Sequence, residues 1–113
     1  MVFVKRIYDS AKDTDGFRVL VDRIWPRGIS KQKARVDLWL RDIAPTDALR
    51  KRFAHDPAKW SEFRHRYFAE LRANKEATAE LHQLLKKNRR VTLLFSARDV
   101  QHNQAIALKA FLR

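Results

Sequence analysis

Two short stretches of this sequence put arginine beside aspartate where both could act on an anion. One runs Asp22-Arg23-Ile24-Trp25-Pro26-Arg27-Gly28, and the other Ser96-Ala97-Arg98-Asp99. Each follows an apolar run, Val19-Leu20-Val21 in the first case and Val91-Thr92-Leu93-Leu94-Phe95 in the second. If those runs are parallel neighbours in a sheet, Asp22, Arg23, Arg27 and Arg98 converge at one edge, where ligands of open α/β sheets sit. Three guanidiniums there would form a fork-shaped site for phosphate or carboxylate, with Asp22 and Asp99 orienting them. The same residues could instead be an internal Asp–Arg network that fixes the strand ends and binds nothing. Trp25 is open to two uses, stacking on a base or sugar, or capping a small core.

Asp22 and His102 are the candidates for acid–base work. Asp22 can serve as a base only if no arginine pairs with it, since pairing lowers its pKa. Asp99 opens the last predicted helix and is expected to accept from the amides of Gln101 or His102 as an N-cap. That places His102 in the first turn, facing the same cleft, as acid–base group or hydrogen-bonding element. Asn103 beside it completes the predicted binding set. Other chemistries lack their signatures. Two isolated glycines cannot build a phosphate-cradling loop, and Ser96, His102 and an aspartate lack nucleophile-elbow spacing. Cysteine is absent, and His55, His65, His82 and His102 share no ligand spacing, so neither metal nor cofactor is expected.

The positioning elements follow from periodicity. Val2–Tyr8 and Phe17–Ile24 read as strands separated by the turn-rich Asp9–Gly16, and Val91–Phe95 reads as a strand covered on both faces. Ser30 is an expected N-cap for a helix reaching Ile43, with Val36, Trp39, Leu40 and Ile43 as its stripe. A short helix with Leu49 and Phe53 follows Pro45-Thr46. Asp56-Pro57 starts the next helix, with the stripe Trp60, Phe63, Tyr67 and Leu71. Asn74 breaks it, another helix ends near Asn88, and Val100–Leu112 closes the chain. About sixty helical residues separate the second and third strands, the length of a right-handed parallel crossover. The eight-residue first connection suits a hairpin-like antiparallel pair. The expectation is therefore an α/β fold: a small three-stranded, mostly parallel sheet covered by four to five helices in one domain, residues 1–113.

Composition sets the partner classes. With 45% hydrophobic residues and 113 positions, one core fits and a second does not. No apolar run is long enough to span a bilayer, and the amino-terminal order, apolar before basic, reverses a signal peptide; a cytoplasmic protein is expected. The net charge of +12 favours polyanionic partners, nucleic acid included. Part of it is local: Glu62, Arg66 and Glu70 have i,i+4 spacing, and Lys86–Arg90 suits a helix C-terminus.

Arg18–Gly28, Leu38–Pro45, His55–Trp60, Phe63–Tyr67, Leu93–Asp99 and His102-Asn103 together resemble the YeaO-like proteins, domain of unknown function 488. The resemblance spans nearly the whole chain. It implies a bacterial-type, stand-alone cytosolic α/β protein and carries no catalytic role to any position. In longer relatives a helix between the first two strands would make them parallel, whereas this chain has only Asp9–Gly16 there. Two functions compete. One is a binding domain or enzyme for an anionic, phosphate-bearing small molecule or nucleotide, clamped by Arg23, Arg27 and Arg98. The other is a basic nucleic-acid-binding or regulatory protein.

Overall fold

The computed structural model describes residues 1–112, which contain one four-stranded sheet of order β1–β4–β2–β3 with every neighbouring pair parallel. The strands are β1 (Val2–Arg6), β2 (Phe17–Leu20), β3 (Leu38–Trp39) and β4 (Val91–Phe95). Five α-helices accompany them: α1 (Lys31–Ala34), α2 (Asp47–Phe53), α3 (Trp60–Ala73), α4 (Lys75–Lys87) and α5 (Gln104–Phe111). The long helical crossover makes β2 and β4 parallel neighbours as expected, with Val19 opposite Leu93 and Leu20 opposite Leu94. All five residues of β4 are buried, because strands flank it on both sides and side chains cover both faces.

Two expectations are corrected. The first two strands do not form an antiparallel hairpin; β4 lies between them and both run parallel to it. Length explains why no helix is needed in the connection. Returning along a short strand and stepping two strands sideways covers roughly 20 Å, and the intervening ten residues can reach about 33 Å. The sheet also has a fourth strand, inside the segment read as one helix from Ser30 to Ile43. Ser30 does cap α1, accepting from the Lys33 amide at 3.2 Å, but the helix ends where Arg35 adopts φ 47°. Beyond it the side chains alternate. Leu38 and Leu40 pack into the larger core, and Trp39 packs on the opposite face of the sheet. The four-residue spacings mimicked a helical stripe, but a period of two governs.

The two faces are unequal. Val19, Leu93 and Phe95 meet Phe53 of α2, the α3 stripe of Phe63, Tyr67 and Leu71, and Ala105 and Leu108 of α5. On the other face Ile7, Leu20, Ala34 and Leu94 are covered by Trp25 and Trp39, which meet edge to face at 5.6 Å. Fully burying side chains of this size contributes about 1.5–3 kcal/mol each. Under β1 and β2, Arg18 is buried, binding Asp15 at 2.6 Å and the Ala34 carbonyl at 2.7 Å, and Lys5 reaches the same carboxylate. No helix among the described residues is long and apolar enough to cross a membrane.

Candidate functional site

Where β2 and β4 end, the chain opens a cavity of about 130 Å³ between the sheet edge, α2, α3 and the start of α5. Its polar floor is Asp22, 7% exposed, which accepts from the Gln104 side-chain amide of α5. Burial raises the Asp22 pKa above the ordinary carboxylate range, against the opposing pull of the Ser96 hydroxyl and amide, Gln104 and the Arg50 charge. Phe53, Phe63, Ala97 and Pro45 supply apolar wall. Arg23 lines one side, its guanidinium donating to the carbonyls of Ala44 and Pro45, both at 3.0 Å. Two of its five donor hydrogens are thereby committed. Arg50 and His55, both exposed, stand at the mouth. Arg50 also touches Asp47 at 3.2 Å, a surface pair of little energetic weight. Ala54 and His55 adopt φ of 49° and 57°, left-handed conformations uncommon for residues with a Cβ, and His55 in this turn lines the cavity.

Of the residues singled out in the sequence, Asp22, Arg23 and Asn103 line this cavity. Arg27 and Arg98 are exposed and line none of it, so the three arginines do not share one pocket. Arg98 lies three residues past the end of β4, beyond the ladder that fixes side-chain direction, whereas Arg23 is anchored to the cavity wall by the Ala44 and Pro45 carbonyls. Trp25 packs in the smaller core and donates to the Ile29 carbonyl at 2.9 Å. Asp99 accepts from the Gln101 and His102 amides at 2.9 and 3.0 Å as expected, and these bonds with the His102 ring hold its pKa below the ordinary range. It does not cap α5, however. That helix begins at Gln104, and Asn103, 1% exposed, is its N-cap, accepting from the Ile106 amide at 3.0 Å. His102 is held by Asp99 at 2.8 Å and lies edge-on to Trp60, outside the cavity lining.

Arg50, His55, Ser96 and Gln104 escaped the sequence reading as site residues. Gln104 carried a usable signal: Asn103 is an N-cap residue type, and moving the helix start there places Gln104 on the first turn. Arg50 and His55 carried none, because their elements reach the strand ends only through tertiary packing.

A family model described as "Inactive DUF488-N3 subclade" matches residues 1–113. The chain is 41% identical to "Uncharacterized protein YeaO" of Escherichia coli (strain K12) over 109 residues, covering 96% of this chain and 94% of that protein. It is equally similar, 41% over 111 residues, to uncharacterized proteins of Mycobacterium tuberculosis (strain H37Rv) and Mycobacterium bovis, covering 98% of this chain and 92% of each. No solved structure matches it significantly. Since the family model spans every residue and the relatives align over nearly their full lengths, the chain belongs to the DUF488 family, in the branch described as its inactive N3 subclade.

Proposed function

We propose that this protein is a non-catalytic binding module for a small phosphate-bearing molecule, a mononucleotide being the best fit. One observation carries the reading: a buried carboxylate, Asp22, and the exposed Arg50 side chain line the same cavity. At about 130 Å³ the cavity is a little smaller than the roughly 150 Å³ that holds a benzene ring, so it admits the inner edge of a single pyrimidine or sugar and leaves the rest of the molecule outside. Asp22 repels phosphate and attracts a hydroxyl or N–H donor, and the Gln104 amide beside it supplies both donor and acceptor. The phosphate therefore stays outside, on Arg50, with Arg23 adding positive potential from the wall. The description of the family branch as inactive favours binding over turnover. His102, one of the two acid–base candidates read from the sequence, does not line the cavity.

Calorimetric titration of the purified protein with UMP, uridine and inorganic phosphate tests the reading. UMP should bind more tightly than either fragment, and Ala97→Leu, which fills the chamber, should abolish it. Heat from phosphate alone, equal to that from UMP, would sink the chamber's role; no heat from any of the three would sink the proposal.

A further inference from the structure

We propose that the strand-end edge binds single-stranded nucleic acid, seating one unstacked pyrimidine base against the cavity and the flanking phosphates on Arg27 and Arg98. This rests on the nucleotide reading of the cavity and extends it from a monomer to a polymer. The first support is a continuous surface leading away from the cavity wall. Arg6 donates to the carbonyls of Ser96 and Ala97 at 3.2 and 2.9 Å, and both of those residues line the cavity. Its guanidinium lies 4.9 Å over the Tyr8 ring, and the Tyr8 hydroxyl donates to the Arg27 carbonyl at 2.7 Å. Cavity wall, Arg6, Tyr8 and Arg27 are thus joined contact by contact.

The second support is what that surface exposes. Tyr8 and Ile24 are 40% and 57% exposed, offering an aromatic face and an apolar patch to bases that have left a stack. Arg27 and Arg98 are exposed and have no ion-pair partner among the described residues. Arg27, joined to Tyr8, and Arg98, next in the chain to the cavity-lining Ala97, are unpaired guanidiniums suited to a sugar–phosphate backbone. The cavity then sets strandedness. A paired and stacked base cannot enter a chamber behind the sheet edge, so a duplex must give up a base to use it, while a single strand need not. The net charge of +12 supplies long-range attraction to any polyanion, and the cavity makes the preference specific.

Fluorescence anisotropy with labelled uridine and thymidine oligomers of about ten nucleotides, a duplex of equal length and unlabelled UMP as competitor tests this. Single strands should bind more tightly than UMP and more tightly than the duplex. The exposed double substitution Arg27→Ala/Arg98→Ala should weaken oligomer binding on the order of tenfold and flatten the log–log salt slope by about 1.4. It should leave UMP binding unchanged, and Ala97→Leu should abolish binding of both. A duplex bound as tightly as the single strand, an unaffected double variant, or an Ala97→Leu variant that keeps its oligomer affinity would each overturn the proposal. If UMP binds and oligomers bind no better, this extension fails while the cavity reading stands. If neither binds, both fail.

Discussion

Asp22 holds a carboxylate where water reaches it poorly, and that placement has a measurable cost. Its folded pKa lies above its unfolded value, so the folded state holds its proton more tightly. The associated stability is present below the unfolded pKa and is lost as pH rises through the folded one. Asp22→Asn should therefore raise Tm near neutral pH, and the gain should vanish below pH about 4. Circular-dichroism melts across that range check it; a Tm lowered at every pH would mean the charge is structurally required. Asp15 behaves oppositely. Burial pushes its pKa up, but the Lys12 amide, Lys5 and Arg18 together hold it below the ordinary range. Its contribution is present above the unfolded pKa and is lost as pH falls through the depressed folded value. Arg18→Met removes the buried partner while keeping its stem, and should cost about 3–5 kcal/mol in urea unfolding. A loss below about 1 kcal/mol would place the ion pair's weight on Lys5 instead. At this scale the sequence marked Asp22 and Arg23 through residue type and position after an apolar run. Arg27 and Arg98 carried the same residue signal without the geometry, because a guanidinium beside a strand end says nothing about which face it leaves by.

Local turns decide how the elements meet, and two glycines separate packing from backbone conformation. Gly16 has φ 70°, and a Cβ there would strike the Arg90 carbonyl and side chain, where the chain enters β2 beside β4. Gly28 has φ 77° with nothing within 4 Å of the Cβ position. Gly28→Ala should cost only the left-handed conformation, about 1–2 kcal/mol. Gly16→Ala should cost clearly more, because backbone must also move. Equal losses in chemical denaturation would show that the Arg90 contact yields freely. Asn103→Ala should remove the α5 cap at about 1 kcal/mol and, by loosening Gln104, weaken UMP binding as well. A stability loss with unchanged affinity would detach the cap from the site. Helices with strong caps, such as those after Thr46 and Asn74, were legible from residue order alone. The strand β3 was not, because two residues are too few to display alternation against the competing four- and three-residue spacings of Val36, Leu40 and Ile43.

For the molecule as a whole, the β2–β4 pairing was readable because a long helical crossover leaves few topologies. The placement of β4 between β1 and β2 was not, since a ten-residue connection is compatible with a hairpin or with a return over a central strand. Charge is likewise a whole-molecule property. The basic run Lys86–Arg90 leads from α4 into the start of β4, at the edge of the sheet opposite the cavity, so net charge alone does not select the strand-end surface. Arg98→Ala should leave both Tm and UMP affinity near wild type, because the side chain is exposed and outside the cavity; a large fall in either would restore it to the site. The most direct measurement is a nuclear magnetic resonance titration of the isotope-labelled protein with UMP. Saturable shifts are expected in the Gln104 side-chain amide and in the backbone amides of Ser96, Ala97 and Asn103, with the Lys86–Arg90 amides still. Shifts confined to Lys86–Arg90, or none at the strand ends at saturating UMP, would contradict the cavity reading.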